Sequence, residues 1–490
     1  MSLLIIVIYF LVLIFIFFYA LTEFALAINY LKSKNSKVHK IEYIQKDHPV
    51  VTIQLPIYNE IYVVERLIDA VVNIKWPKEK LEIQVLDDST DETSAVIAKK
   101  VAFYSAKGFD VQHIKRKSRV GFKAGALQHG MAICKGEFIA IFDADFLPNP
   151  FFLEETIHHF KNAKVGMVQT KWDHINPRYS ILTRLQEFAL NAHFSIEQRG
   201  RNETGCFINF NGTAGIWRKT CIVDAGGWQS DTITEDLDLS YRAQLKGWNF
   251  IYREDVASPA ELPVTIDALR TQQFRWSKGA AECARKNLFS VLSSKSLSFY
   301  TKINAFFHLM NSSMFICTMI LIFLSLPIIY ISHVYPYLGS LIQYSTIFFI
   351  TTILIGFTYL ISNTKNGKGS IKNFLNNLFF LPIFLSIYLG IAMHISIGVV
   401  EGFIGLKSPF IRTPKFNISE NNHLNKNRYI KGVLSPFLLM ELFILFYAIL
   451  GIYYSFQFSI YYMILFLLMI VLGYSYTSFY TLKNAFIKKV

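Results

Sequence analysis

Two aspartates separated by a single residue, Asp143 and Asp145, stand directly after a short apolar run in the motif FDADFLP. Along an extended backbone, side chains two residues apart point the same way, so both carboxylates could act on one ligand. One could contact a ribose while the other binds Mg²⁺ or Mn²⁺, because these ions take carboxylate oxygens and share their other positions with water and phosphates. The motif therefore indicates a site for a nucleotide and a divalent cation.

Two earlier motifs also place polar side chains after apolar runs. In LPIYNE, Pro56 is expected to end a strand, and Asn59 and Glu60 can present polar groups at its tip. In LDDSTDE, the neighbouring Asp87 and Asp88 could accept hydrogen bonds from a base or a ribose. Capping of the following helix is an equally plain role for this second motif, so both alternatives stay open.

Two later motifs could supply a general base and an aromatic platform. Asp236 of the TED motif starts a helix, where its carboxylate could take a proton from an attacking hydroxyl or simply cap the helix. In QQFRW, the side chains of Gln272, Arg275 and Trp276 share one helix face. Trp276 offers a flat ring to a sugar or a base, and Arg275 can pair with a phosphate. An amphipathic helix lying on a membrane is the alternative.

The segment from about 45 to 300 alternates strand-like and helix-like stretches, and the polar motifs stand where the strands end. Such alternation is typical of a doubly wound, mostly parallel sheet, whose ligands bind beyond the carboxyl ends of the strands. We predict strands over 50–58, 81–88, 109–116, 136–145 and 165–172, and helices over 61–74, 92–106 and 122–135.

The composition indicates that a membrane part accompanies this α/β domain. Of 490 residues, 52% are hydrophobic and only 17% are charged, with a mean hydropathy of +0.32. The net charge of +14 has a plain explanation in cytoplasmic loops rich in Lys and Arg, and no basic stripe with interleaved aromatics indicates nucleic acid. The 5 cysteines include no CxxC pair, so neither a disulfide framework nor a zinc site is supported.

Apolar runs long enough to cross a bilayer occur at both ends of the chain. The first, 3–28, is followed by several lysines, which favours a cytoplasmic flank and an external N-terminus. The apolar segment 374–405 lies between two basic loops. If both loops are cytoplasmic it cannot cross once, so we expect it to lie at the interface or re-enter, with a sixth span as the alternative. Other spans are expected near 306–332, 340–362, 434–456 and 459–481.

Together, these motifs resemble the signature of the family 2 glycosyltransferases, which is D, DxD, TED and QxxRW in this order. The chain is most similar to the cellulose-synthase-like β-mannan and glucan synthases and their bacterial relatives, through the finer matches DDSTD, GFKAGAL, IFDADF, FNGTAGIWR, AGGW, TEDLDLSYRAQLKGW and QQFRW. The resemblance covers about 50–290 closely. It implies a GT-A fold and an inverting, metal-dependent (Mg²⁺ or Mn²⁺) transfer of a hexose from UDP-glucose or GDP-mannose to a growing β-linked polysaccharide.

The resemblance also implies a role for each motif residue. Asp236 would be the catalytic base, and Asp145 would hold the metal. The nucleotide sugar would be held by Pro56, Asn59, Glu60, Asp87 or Asp88, Lys123, Asp143, Gln272 and Arg275. The acceptor sugar would lie against Asn211, Gly212, Thr213, Glu235 and Trp276.

The later stretch PFIRTPKF resembles the gating loop of cellulose synthases, in which a threonine and a basic residue lie over the bound nucleotide. These residues would be Thr413 and Lys415 here. Pro414 departs from the cellulose synthase pattern, and a plain basic cytoplasmic loop is the alternative.

These inferences predict the organisation of the whole chain. We expect an N-terminal transmembrane helix (1–30), a cytosolic GT-A catalytic domain (45–260), amphipathic interfacial helices with QxxRW (261–300), and a transmembrane bundle (301–490) that contains the candidate gating loop (407–431). The bundle would export the polymer across the plasma or inner membrane of a bacterium or into the Golgi of a eukaryote, with room for accessory export subunits. A non-processive enzyme that glycosylates a membrane lipid is the nearest alternative. A transporter or channel with a regulatory domain is a distant one.

Overall fold

The predicted strands are part of one seven-stranded sheet in the computed structural model, which describes residues 1–33, 48–364, 371–408, 411–413, 415–418 and 437–485. The strands are β1 Val51–Ile57, β2 Leu81–Asp87, β3 Asp110–Lys115, β4 Phe138–Ile141, β5 Val165–His174, β6 Gly215–Arg218 and β7 Asn249–Ala260. Their order is β3-β2-β1-β4-β6-β5-β7. Only β6 runs antiparallel to its neighbours, β4 and β5, so the predicted fold class is confirmed.

Two of these strands, β6 and β7, were absent from the predicted set. The four residues of β6 are too few to show an alternating pattern. In β7 the alternation is interrupted where its register against β5 shifts, between the pairs Thr170–Arg253 and Lys171–Ala257.

Pro56 lies inside β1, so the prediction that it ends the strand is wrong by one residue. The carbonyl of Gln54 accepts the last hydrogen bond from the β4 side, from the N–H of Phe142. The pairing of β1 with β4 ends at Gln54. Pro56 has no N–H group, and at this position its absence costs no hydrogen bond of the sheet.

Helices cover both faces of the sheet and form a hydrophobic core on each. One core packs Leu67 and Phe152 against the sheet, and the other packs Leu127 and Leu239 against it.

The helices in the part of the chain up to residue 245 are α1 Ser2–Ser33, α2 Val64–Val72, α3 Thr93–Ser105, α4 Phe122–Ile133, α5 Phe152–Ile157, α6 Ile181–Asn191, α7 Arg199–Glu203, α8 Lys219–Asp224 and α9 Glu235–Leu245. A π-helical turn, Ala192–Gln198, lies between α6 and α7.

The remaining helices are mostly long and apolar. They are α10 Ile266–Ser293, α11 Phe299–Leu309, α12 Ser313–Val334, α13 Pro336–Gln343, α14 Phe349–Ser362, α15 Ile371–Ile404, α16 Leu438–Gln457 and α17 Ile464–Ala485. Within the described ranges, six segments are long and apolar enough to cross a membrane: Ser2–Ser33, Ser313–Val334, Pro336–Ser362, Ile371–Ile404, Leu438–Gln457 and Tyr461–Lys483.

Helix α15 is the segment for which the sequence left two positions open. By length and composition it could be a sixth span. Its side chains, however, contact helices next to the catalytic sheet: Phe384 packs on Phe188 of α6, and Gly398 and Gly402 approach α10 so closely that a Cβ would collide with it. Gly390 of α15 approaches Gly473 of α17 just as closely, so α15 contacts both parts of the molecule. The interfacial position stays a prediction, with the sixth span as its alternative.

A buried ion pair joins α10 to the last two apolar helices. Arg270 of α10 places Nη2 2.6 Å from Oε1 of Glu441 on α16, and its Nη1 donates to Oγ1 of Thr481 on α17 at 2.7 Å. Arg270 and Glu441 are both buried, so each needs the other to offset the loss of water.

We expect single substitutions in this pair to destabilise the protein strongly. Arg270→Met leaves the Glu441 carboxylate buried without its cation, and Glu441→Leu does the reverse, each at a cost of about 3–5 kcal/mol. The double variant should be closer to the unchanged protein than either single variant. Denaturant unfolding in detergent micelles measures this, and two single variants of unaltered stability would contradict it.

Candidate active site

One cavity of about 220 Å³ gathers most of the predicted site residues beyond the carboxyl ends of β1, β2 and β4. Its wall also includes side chains from α4, the start of α9, α10, and residues 411–413 and 415–418, which we call the segment 411–418. The predicted residues on this wall are Pro56, Glu60, Asp88, Lys123, Asp143, Asp145, Asn211, Gly212, Glu235, Asp236, Gln272, Arg275, Trp276, Thr413 and Lys415.

The two aspartates of the DxD motif lie in a turn, because β4 ends at Ile141 rather than at 145. The N–H of Phe146 donates to the carbonyl of Asp143 at 3.1 Å and closes this turn. The expectation that an extended backbone aims both carboxylates the same way is therefore wrong. Both nevertheless reach the cavity, each beside its own cation.

Lys123 is the cation beside Asp143, with Nζ 2.6 Å from Oδ1. The same Nζ donates to the carbonyl of Gly212 at 2.9 Å, so Lys123 ties the DxD turn to the FNGTAG loop. Burial opposes its positive charge, but the carboxylates of Asp143 and Glu235 outweigh burial and raise the pKa of Lys123.

Asp236 lies at the N-terminal end of α9, beside this lysine. Its Oδ1 accepts the N–H of Leu237 at 2.9 Å. Gly212 has a φ of +82°, and a Cβ there would lie 2.8 Å from Oδ2 of Asp236, so the loop needs glycine at this position. Burial raises the pKa of Asp236 above its usual range, and it raises the pKa of the neighbouring Glu235 to about 7. A buried carboxylate of this kind is a stronger base once it is ionised.

The segment 411–418 lines the cavity through Arg412, Thr413 and Lys415. Lys415 places Nζ 2.7 Å from Oδ2 of Asp145 and also donates to the carbonyl of Glu261 at 2.9 Å. The N–H of Phe416 donates to Oε1 of Glu261 at 2.8 Å. The other residues of the predicted gating loop, 409, 410, 414 and 419–431, lie outside the described residues.

Arg412 and Thr413 attach the same segment to two further walls. Arg412 donates to the carbonyl of Tyr58 at 3.1 Å, and its Nε lies 3.4 Å from Oε1 of Glu60. Thr413 accepts a hydrogen bond from Arg275 at 3.4 Å. Burial raises the pKa of Glu60 to about 8, although the Arg412 cation opposes that rise.

Helix α10 brings Gln272, Arg275 and Trp276 of the QxxRW motif to the cavity wall, on the one helix face that their spacing predicted. Trp276 lies there beside Trp172 of β5, with ring centroids 6.2 Å apart. Two aromatic rings at one end of a polar cavity form a surface on which a sugar ring can stack.

Asp87 does not line the cavity, so of the two neighbouring aspartates only Asp88 is placed to contact a nucleotide. The Asp87 carboxylate accepts hydrogen bonds from Ser94, from the N–H of Ser89 and from His113, the last at 2.8 Å. Burial would raise the pKa of Asp87, but these hydrogen bonds lower it to about 2. Asp87 holds the β2 end in shape instead.

Asn59 and Thr213 also lie behind the wall rather than on it. Oδ1 of Asn59 accepts the N–H of Thr90 at 2.8 Å and joins the loops after β1 and β2. Oγ1 of Thr213 accepts the N–H of Asp143 at 2.9 Å and fixes the DxD turn. Through these hydrogen bonds, the side chains of Asn59 and Thr213 position neighbouring residues that reach the cavity.

Several wall residues were missed by the sequence reasoning. Arg119 stacks its guanidinium 3.3 Å from the ring centre of Tyr58, and Arg412 pairs with Glu60. Both arginines stand within or beside stretches already singled out, so their positive charge was an available signal. Trp172 and Glu261 belong to no motif, and only the fold brings them here.

The donor set of the cavity fits a divalent cation that is held partly by its substrate. Among the described residues, no three His, Cys, Asp or Glu side chains group so that they alone could hold a metal ion. Mg²⁺ commonly uses one or two carboxylates and completes its coordination with phosphates and water. Asp145 suits this role, because it lies on the wall and already attracts a cation, Lys415.

The mostly parallel sheet, with carboxylates beyond its strand ends, has the architecture expected of a GT-A glycosyltransferase. Residues 48–279 match the family described as "Glycosyltransferase like family 2". The chain belongs to glycosyltransferase family 2, which confirms the resemblance.

The similar proteins include plant enzymes. Probable glucomannan 4-beta-mannosyltransferase 7 of Oryza sativa subsp. japonica is 44% identical over 261 residues, which cover 52% of this chain and 45% of the relative. Probable glucomannan 4-beta-mannosyltransferase 3 of the same plant is 34% identical over 385 residues, which cover 76% of this chain and 67% of the relative. The chain thus spans only about half the length of several such relatives.

A solved structure shares the fold. It is that of the mannosyltransferase PcManGT from Pyrobaculum calidifontis in complex with GDP-Man and Mn²⁺, at 18% identity and a TM-score of 0.52. The match covers 74% of this chain and 99% of the other.

We expect Asp236→Asn to fold and insert normally but to lose at least about 10²-fold in kcat, because an amide cannot take the proton of an attacking hydroxyl. The measurement is radiolabelled sugar transfer by the purified variant. In the unchanged enzyme, kcat/KM should fall on the acid side of its pH profile at a pH above the usual pKa range of aspartate. The reason is that burial raises the pKa of Asp236. Near-normal transfer by the variant would rule out Asp236 as the base.

Proposed function

We propose that this chain transfers mannose from GDP-mannose to the growing end of a β-linked mannan. One observation carries the proposal: the carboxylates, cations and aromatic rings needed for such a transfer share one cavity. They do so in a chain 44% identical over 261 residues to a probable glucomannan 4-beta-mannosyltransferase. The mannosyl group is taken from the name of that relative, and GDP-mannose from the complex of the mannosyltransferase PcManGT with GDP-Man.

In this proposal the reaction is a single displacement. The acceptor hydroxyl attacks the anomeric carbon from the face opposite the diphosphate, and Asp236 takes its proton, so an α-linked donor gives a β-linked product. Lys123 and Arg275 face the cavity where they can meet the negative charge that develops on the diphosphate. A divalent cation held by Asp145 would add Lewis-acid stabilisation of the same charge.

The segment 411–418 gives this site a way to respond to its ligands. Lys415 holds the carboxylate that we assign to the metal, so binding of donor and metal requires Lys415 to move away. The released Lys415 and Thr413 would then be free to contact the diphosphate. This role is the one that the resemblance to a gating loop implies.

A second cavity supports elongation and export. It encloses about 600 Å³ among the apolar helices and is lined by side chains from α1, α10, α12, α14, α15 and α17. Trp276 lies on the walls of both cavities, so the second begins where the acceptor sugar would stack. Its ring-rich lining includes Tyr9, Tyr19, Phe315, Tyr359, Phe384 and Tyr388. We propose that the polymer leaves the catalytic site along this path, with the catalytic part on the cytosolic side.

The alternatives differ in donor or in product. UDP-glucose remains the competing donor, because glucan and mannan synthases share the same motifs. A glycolipid product is the competing outcome, and the presence of a second, ring-lined cavity on the other side of the shared residue Trp276 favours a polymer over it.

Purified protein incubated with each donor and Mn²⁺ or Mg²⁺ tests the donor and the product. We expect a β-mannan of many units from GDP-mannose, identified by linkage analysis, and none after chelation with EDTA. The Asp236→Asn protein, purified in parallel, controls for contaminating enzymes. Polymer from UDP-glucose alone would overturn the choice of donor, and products of one added sugar would favour the glycolipid alternative.

Inverted membrane vesicles that contain only this protein test export. With GDP-mannose added outside, labelled polymer should accumulate in the vesicle interior and resist an added mannanase until detergent is supplied, because the chain passes through the helices as it grows. Polymer that is wholly digested before detergent is added would refute export by this protein alone.

A further inference from the structure

The orientation of the Asn211 side-chain amide, in the FNGTAG loop, is set by its neighbour Asn209. Oδ1 of Asn211 accepts a hydrogen bond from Nδ2 of Asn209 at 2.9 Å, and the same Nδ2 lies 3.3 Å from the carbonyl of Phe210. The Asn209 amide therefore cannot be reversed without setting two oxygens against each other. Since Oδ1 of Asn211 must accept, its NH₂ group points the other way.

That NH₂ group lacks a partner within the described part of the chain. Nδ2 of Asn211 is buried, forms no hydrogen bond there, and belongs to a residue on the wall of the catalytic cavity. A buried donor left without an acceptor is costly, so an oxygen of a bound ligand is its natural partner.

His193 reaches the same amide from a second direction. Its Nε2 lies 2.9 Å from Oδ1 of Asn211, and because that oxygen accepts, Nε2 donates. Its Nδ1 lies 3.0 Å from Oε2 of Glu197. Both residues belong to the π-helical turn Ala192–Gln198, a rare geometry that is frequent at functional sites.

The imidazole is anchored in turn by buried charges. Arg201 places Nη1 3.4 Å from Oε2 of Glu197 and Nη2 3.5 Å from Oε1 of Glu23 on α1. Burial alone would raise the pKa of Glu197, but the hydrogen bond and charge of His193 outweigh burial and lower it. An ionised Glu197 fixes the ring, and the ring fixes Asn211.

We propose that His193 is a positioning residue for the acceptor. It holds the Asn211 amide so that the NH₂ group donates to an oxygen of the acceptor's terminal sugar. This inference rests on the proposed function, because it takes the FNGTAG loop to face the acceptor. A purely structural role would lower stability without distinguishing acceptor from donor.

Two substitutions of nearly equal size separate these roles. The amide nitrogen of His193→Gln can occupy the place of Nε2 and still donate to Asn211, whereas that of His193→Asn reaches only the place of Nδ1. We expect His193→Asn to raise the KM for a manno-oligosaccharide acceptor about tenfold, the usual effect of one lost hydrogen bond. The KM for the sugar nucleotide and the rate of its hydrolysis to free sugar should stay within about twofold. His193→Gln should restore most of the acceptor KM.

Three further variants complete the experiment. His129→Asn, at an exposed position of α4, is the matched control and should behave as the unchanged enzyme. Asn211→Ala should raise the acceptor KM, and adding His193→Asn to it should change nothing more, because the two residues act as one unit. Should His193→Asn fail to fold, Asn209→Ala removes the other hydrogen bond to Oδ1 and is expected to raise the acceptor KM in the same selective way.

Equal acceptor KM values in His193→Gln and His193→Asn, or a rise in the KM for the donor as large as that for the acceptor, would overturn the positioning role. In both cases the unchanged enzyme still elongates the oligosaccharide, so the proposed function survives. An unchanged enzyme that hydrolyses donor but never elongates an acceptor would overturn the proposed function and this inference together.

Discussion

The catalytic cavity brings several carboxylates into one largely buried space, where their mutual repulsion and their loss of water both oppose the charged state. The protein meets this constraint with cations from parts of the chain that are far apart in sequence. Lys123 on α4 faces Asp143, Arg275 comes from α10, and Lys415 reaches Asp145 from the segment 411–418. The sheet, the QxxRW helix and the loop after α15 must therefore all be in place before the site is electrostatically balanced.

The helix that contributes Arg275 to this balance also connects the catalytic sheet to the apolar helices. Helix α10 carries Arg275 and Trp276 at the cavity, and a few residues earlier it is held to α16 by the Arg270–Glu441 ion pair. Helix α15 packs along α10 and precedes the segment 411–418, whose side chains line the cavity. Trp276 also lines the second cavity among the apolar helices, so one residue of α10 belongs to the walls of both cavities.

Much of this was readable from the sequence, and the exceptions have physical causes. Hydrophobic periodicity gave five strands and the alternation of a mostly parallel sheet, but a four-residue strand such as β6 carries too little pattern to be seen. Motif spacing correctly placed Gln272 and Trp276 on one helix face. Spacing could not reveal that Asp87 turns inward to His113, because that depends on the parallel register of β2 and β3.

The loop residues show the same limit. The wall residues Arg412 and Glu60 are 352 positions apart and meet only in the folded chain, at 3.4 Å. The charges on α1 had no visible purpose in the sequence, yet Glu23 pairs with Arg201 inside the protein. Local patterns thus predicted which side chains could do chemistry, whereas the partners that set their charge and direction came from long-range contacts.

The most direct test of this account is a structure of the purified protein with GDP and Mn²⁺. We expect the diphosphate between Lys123 and Arg275, the metal on Asp145, and Lys415 withdrawn from that carboxylate. A nucleotide bound elsewhere, with Lys415 still paired to Asp145, would contradict the assignment of this cavity to the donor.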